Sequence, residues 1–255
     1  MKPIALLMML FAVTTASLGQ NAEHYLSIEE ALRDTTFIGN PPEFGSLLYE
    51  YDIHMYLYGK TLRSTERGKQ AALDADASAT NLCKVFSEAF GCELSAQKLP
   101  QIFKLINRMK EDAGSYSTRC SKSRSKRQRP YVMFGESTSV PNDEDLLRHN
   151  SSFVSGHAAL AMAVSMALAY INPEKQNDLY ARACAYSDAR WITGFHYFSD
   201  VKAGQLVGAL VLPALLNNQE FVQQLNRAKE EFKKLSEMQK VTSYHQPRRL
   251  PRGVD

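Results

Sequence analysis

Residues 155–173, SGHAALAMAVSMALAYINP, are small or apolar on nearly every face of a helix. A helix without a polar stripe has one stable place, inside a shell of other elements. Ser155 is a natural N-cap, and Asn172-Pro173 is a natural stop. The apolar part, Ala158 to Tyr170, is short of the ~20 residues that a membrane span needs. The later apolar stretch is interrupted by Pro213. Neither is therefore expected to cross a bilayer. The chain is expected to be an all-α, single-domain helical bundle built around a buried helix.

The remaining pattern agrees with that class. Ser27-Ile28-Glu29-Glu30 has the spacing of a helix-opening capping box. One long helix is expected from about Leu47 to Phe90, then a turn at Gly91 and a helix from Leu99 to Met109. Helices are also expected over 174–190, 200–216 and 217–238, with Pro213 as a kink or break. Alternating strand patterns and Asn-Gly hairpin signals do not occur.

The first residues, MKPIALLMMLFAVTTASLGQ, read as an export signal over 1–19, with Lys2, a short apolar core and a small-residue exit. Cleavage near Ala16 or Gly19 would leave a periplasmic or secreted protein with its helical domain over 20–240. Residues 241–255 are basic and proline-containing, and are expected to form a mobile tail. The four cysteines, Cys83, Cys92, Cys120 and Cys184, allow three complete pairings and contain no CxxC pair. A zinc knuckle is therefore not expected. Thirty basic and 27 acidic residues leave a net charge of +3. A nucleic-acid binder would be more lopsided and would carry stacking motifs, so no nucleic-acid partner is expected.

Three clusters can carry chemistry. In SKSRSKRQRP, Lys122 and Arg129 stand seven apart, close to two helical turns. Arg129 precedes Pro130, so the chain is expected to turn there. Arg124, Lys126 and Arg127 are expected to face solvent. Ser155-Gly156-His157 opens the apolar helix, where free amides and the helix dipole suit an oxyanion. In ARWITGFHYFSDV, Arg190, His196 and Asp200 follow at spacings of six and four. If the chain is helical around His196, Asp200 lies one turn on and can fix the ring tautomer. Gly59-Lys60-Thr61 is not a nucleotide-binding loop, because His54 stands where that loop needs glycine.

Together the clusters read Lys122-x6-Arg129-Pro130, Val154-Ser155-Gly156-His157 and Ala189-Arg190-x5-His196-x3-Asp200. This resembles the three-part signature of the vanadium-haloperoxidase-like phosphatase superfamily. RSTERGK at 63–69, EDAG at 111–114 and INPEKQN at 171–177 also resemble the exported bacterial class A non-specific acid phosphatases. The likeness covers roughly residues 40 to 230. Val154 stands where the signature has proline, and Ala189 where it has serine. Val154 is expected to loosen the turn before Ser155, and Ala189 to remove a supporting hydroxyl.

The resemblance implies the helical fold of that group and phosphate monoester hydrolysis without metal or cofactor. It implies His196 as nucleophile, Asp200 orienting it, and His157 as acid and then base. Lys122, Arg129, Arg190, Ser155 and Gly156 would bind the phosphate, and Glu111 and Asp112 would sit near the mouth. Small phosphate esters of nucleotides, sugars or aryl alcohols are the implied substrates, and relatives imply a homo-oligomer. Weighed against this are a vanadate-dependent haloperoxidase, a membrane lipid-phosphate phosphatase and a non-catalytic exported anion-binding protein.

Overall fold

The computed structural model describes residues 24–244, and the expected export signal lies outside them. Of the expected tail, residues 241–244 continue the last helix and the rest also lies outside.

Short polar residues and glycines divide the chain into its elements. α1 (Leu47–Leu62) starts at Ser46, whose hydroxyl accepts from the Tyr49 amide. Thr65 caps α2 (Glu66–Leu73), and Ser78 caps α3 (Ala79–Phe90). The long helix expected over 47–90 is therefore three helices. Composition favoured one continuous helix, but each hydroxyl satisfies free amides and lets a new helix begin. Gly91, at φ 91°, closes α3 in the left-handed conformation.

Pro100 opens α4 (Pro100–Lys110), which runs into a single π-helical turn over Glu111–Ser115. A 3-10 turn leads to α5 (Arg119–Ser125), and Lys126 at φ 47° ends it. The short helices α6 (Pro130–Phe134) and α7 (Glu144–Leu147) follow. Three long helices then carry the centre: α8 (Gly156–Ile171), α9 (Gln176–Thr193) and α10 (Phe198–Leu215). α11 (Gln219–Tyr244) covers the far side. No strand occurs among the described residues, so the all-α reading holds. Pro213 lies in the last turn of α10 and does not break it. The Ser27–Glu30 box forms both of its reciprocal hydrogen bonds, but around a turn rather than a helix.

α8 is the buried helix that its composition demands. Its alanines let α9 and α10 come close, and α10 comes closest. A Cβ on Gly204 would lie 2.3 Å from the Ser155 carbonyl oxygen, and one on Gly208 would lie 2.2 Å from that of Ala159. By length and composition α10 could cross a membrane, yet here it packs on α8 and carries the buried Asp200 in its first turn. The main core lies where α3, α4, α8, α9 and α11 meet, with Phe86, Phe90, Leu105, Leu168 and Phe221 fully enclosed. Each such side chain contributes about 1.5–3 kcal/mol by leaving water.

The backbone at Ala159 cannot yield without moving α8. Gly208→Ala should therefore destabilise the fold by about 1–3 kcal/mol through overpacking. Urea denaturation beside the parent protein measures this, and an unchanged midpoint would show that the helices are free to part.

Candidate active site

A cavity of about 500 Å3 opens between the start of α8, the end of α9, α5 and the π turn. Lys122, Arg129, Gly156, His157, Arg190 and His196 line it. Six of the eight expected site residues thus share one wall. Ser155 and Asp200 stand behind it, both fully buried.

Each side chain is delivered by a local device. α5 is anchored by the buried Asp34 carboxylate, which accepts from the Ser121 amide at 3.0 Å and so presents Lys122 next to it. Arg129 is not on that helix. It sits in extended chain as the N-cap of α6, so the clamp is made across a turn. RSTERGK holds α9 in place. Arg63 donates to the Ile192 carbonyl at 3.0 Å, and Arg67 to that of Ala185 at 2.6 Å. Gly194 at φ 96° ends α9, and the amides of Phe195 and His196 turn back to the Arg190 carbonyl. This turn puts His196 beside Arg190.

His196 therefore precedes α10 and is not helical, which corrects the expected one-turn spacing to Asp200. Asp200 still reaches it, because as the third residue of α10 it folds back to cap the helix. Its Oδ2 accepts from the Tyr197 amide at 2.9 Å and lies 3.5 Å from His196 Nδ1. On the other side of the ring, Arg129 Nη1 donates to Nε2 at 3.0 Å. A guanidinium can only donate, so Nε2 keeps its lone pair and the ring proton sits on Nδ1, facing Asp200. His157 has the opposite tautomer. Its Nε2 is 2.9 Å from the Ala75 carbonyl, which can only accept, leaving Nδ1 unprotonated.

Ser155 caps α8, accepting from the Ala158 amide at 3.3 Å, and its own amide donates to the Asp200 carbonyl at 2.9 Å. Its hydroxyl accepts from the helix and keeps its own O–H to donate, and it stands just behind the residues that line the cavity. Gly156 needs to be glycine, since a Cβ there would lie 2.4 Å from the Gly114 carbonyl oxygen. Val154, which stands before this turn, is fully enclosed among Ile38, Phe153, Ala159 and Val207. Ala189 is buried beside Ala158 and Val201. Glu111 lines the cavity as expected, but Asp112 does not. It is buried, and binds the amides of Tyr25 and Leu26.

The electrostatics are lopsided. Arg190 is 1% exposed, lies over the Phe195 ring, and has no hydrogen-bond partner at Nε or Nη1. Arg129 meets carbonyls and a histidine, and Lys122 meets only the Ser151 carbonyl. By contrast Arg108, Arg127 and Arg182 each pair with a carboxylate. Desolvation, then the Arg129 charge, pushes Lys122 down to about 7. Desolvation brings Arg129 and Arg190 down to about 10. His196 falls well below the usual histidine value through desolvation and then Arg129, Lys122 and Arg190. His157 does so through desolvation and then Arg190. Among the described residues, no group of three or more His, Cys, Asp or Glu side chains is placed to hold a metal ion.

Arg127 corrects the sequence reading. It does not face solvent, whereas Arg124 and Lys126 do. Its guanidinium spans two buried carboxylates, Asp200 at 2.6 Å and Asp52 at 2.8 Å, and stacks on the Tyr197 ring at 3.9 Å. A signal existed. In extended chain before a proline, residues two apart share a side, so an inward Arg129 brings Arg127 inward too.

The comparisons with known proteins agree with this site. Residues 113–223 match the PAP2 superfamily, a stretch that takes in all eight site residues. A non-specific acid phosphatase of Providencia stuartii is 41% identical over 212 residues, covering 83% of this chain and 86% of that one. One of Salmonella typhimurium is 32% identical over 213 residues, covering 84% and 85%. The chain belongs to the PAP2 superfamily and, within it, to the class A non-specific acid phosphatases.

Two outcomes are expected. Arg127→Ala leaves two buried carboxylates without their cation and should cost about 3–5 kcal/mol. Equilibrium denaturation tests it, and a loss under about 1 kcal/mol would place the pair in the weak class of exposed ion pairs. Lys122 is charged below pH 7 and neutral above it, so anion binding should weaken as pH rises through 7. Calorimetric titration with sulfate, whose own charge does not change there, should show Kd rising roughly tenfold from pH 6 to 8.5, the worth of one charged hydrogen bond. Lys122→Arg should remove the part of that rise that lies above pH 7, leaving only the part below it that comes from proton uptake on His157.

Proposed function

We propose that the cavity hydrolyses phosphate monoesters through a phosphohistidine on His196, in a protein exported by its N-terminal segment. Family membership makes the chain a phosphatase, a hydrolase acting on small phosphate esters. The route and the export are the added reading. One observation carries the catalytic part, while export rests on the N-terminal sequence alone: three cations, Lys122, Arg129 and Arg190, face one cavity and none of them pairs with a carboxylate. Buried charge without a counter-charge costs several kcal/mol, and a phosphoryl dianion supplies the missing charge.

In the first step the three cations bind the equatorial oxygens, and the free amides at the start of α8 join them. The His196 Nε2 lone pair forms the bond to phosphorus while the bond to the ester oxygen breaks. Positive charge develops on the ring, and its Nδ1 proton faces the Asp200 carboxylate, which stabilises it. The leaving alkoxide takes a proton from His157 Nδ1. In the second step His157 Nδ1 accepts a proton from water, the water oxygen attacks phosphorus, and the electron pair returns to Nε2. Most of the acceleration comes from charge held in position, as phosphoryl transfer requires.

The depressed histidines explain how the acid is made. Both rings are neutral in the free protein because burial disfavours the charged form and, after it, the neighbouring cations repel a further charge. A bound dianion cancels that field and returns His157 towards its ordinary range, so the substrate itself brings in the proton. His196 must stay unprotonated to attack, and the Arg129 hydrogen bond to Nε2 holds it so. Protonated acid and free nucleophile are thus set by opposite neighbours, which requires a bell-shaped profile with its maximum on the acid side of neutrality.

Hydrolysis of p-nitrophenyl phosphate with EDTA present, beside His196→Ala, tests the route. The parent should turn over, and the variant should lose more than about a thousandfold, as when a nucleophile is removed. A label trapped from phenyl phosphate should be stable to alkali and labile to acid. Robust turnover by His196→Ala, or an acid-stable label, would overturn the nucleophile. Halide oxidation after vanadate loading would favour the haloperoxidase instead.

A further inference from the structure

The cavity is larger than one phosphoryl group needs, and its outer wall is not neutral. Beyond the three cations described, Lys110, Arg119 and Glu111 line the same space, with Leu147 and Leu160 as the apolar part. Arg119 stands three residues before Lys122 on α5, so the two side chains share a face about 5–6 Å apart. Its Nη2 is tethered to the Ile28 carbonyl at 2.7 Å, while its Nε is buried without a partner. Lys110 closes α4 at the opposite edge, and among the described residues it pairs with no carboxylate. Glu111 offsets only one of these charges. A phosphate dianion in the inner clamp therefore leaves the outer wall cationic.

We infer that Lys110 and Arg119 form a second anion subsite, selecting phosphate monoesters whose alcohol carries another phosphate or a carboxylate. This rests on the phosphatase reading and refines its substrate class. The reacting group occupies the inner cations, and the second anion lies one helical turn outward, against Arg119 and Lys110. The spacer between them crosses the Leu147 and Leu160 surface. A simple alkyl or aryl phosphate leaves the outer cations to water.

The monophosphate and the bisphosphate of 1,3-propanediol give a matched pair: both leave through a primary alkoxide, and they differ only in whether the far end carries a phosphate. At low ionic strength, kcat/KM should favour the bisphosphate by about tenfold, chiefly through KM, as one charged hydrogen bond predicts. Having two equivalent ends accounts for only a twofold part of this. Lys110→Gln should bring the ratio down several-fold, and Lys110→Arg, which keeps the charge, should preserve it. Circular dichroism of both variants checks that they fold. Equal ratios in the parent and in Lys110→Gln would overturn the subsite, and would show the outer cations to act only as a general field for anions. Turnover of neither ester by the parent would overturn the hydrolytic reading itself.

Discussion

The structure depends on a charge imbalance that the fold maintains. Arg129 and Arg190 are buried and Lys122 is partly so, and none is paired with a carboxylate, whereas Arg108, Arg127 and Arg182 each are. Such an arrangement is costly on its own and has to be supported by the rest of the molecule. The support is visible. Carbonyl groups of residues 147, 150, 151 and 195 hold Arg129, an aromatic face covers Arg190, and the Asp34 carboxylate fixes α5. These contacts stabilise geometry without neutralising charge. The cationic field is thereby kept for a ligand.

The second constraint is distance. Gly204 and Gly208 bring α10 almost into backbone contact with α8, and that contact positions the start of both helices. Ser155 at the mouth of α8 donates its amide to Asp200 at the mouth of α10. Asp200 in turn answers Arg127, the Tyr197 amide and the Nδ1 side of His196. One residue thus joins helix packing, through its backbone carbonyl, to the orientation of a ring, through its carboxylate, and Asp52, through Ser199 and Arg127, holds the same corner from α1. Packing deep in the bundle and chemistry at the surface are linked by a single buried group.

Much of this was legible in the residues alone. An apolar alanine-rich segment admits only a buried helix, and the resemblance to a three-part signature gathers the eight spaced residues into one oxyanion site. What was not legible depended on conformation that spacing does not encode. Asp200 was expected to meet His196 across a helical turn, but a glycine-ended α9 and a helix-capping carboxylate achieve the approach differently. Ser155 was expected at the phosphate, and its hydroxyl also accepts from the first turn of the helix that it opens. Arg127 was read as solvated because its neighbours are. Its spacing to Arg129 before a proline carries the inward direction, but the partner that it meets there, Asp52, lies more than seventy residues away and no local pattern names it. The single helix expected over 47–90 failed for a related reason, since two hydroxyl caps outweigh a run of good helix formers.

The unanswered cations also bear on the end of the catalytic cycle. Hydrolysis leaves orthophosphate in a pocket that is built to hold an anion and is less stable empty. Departure of that product restores the imbalance, so release is uphill and competes with chemistry for the slowest step. The same preference makes orthophosphate a stabilising ligand, because whatever binds only the folded form raises its stability by mass action. A protein of this design is most robust where its product accumulates, which is also where it works least.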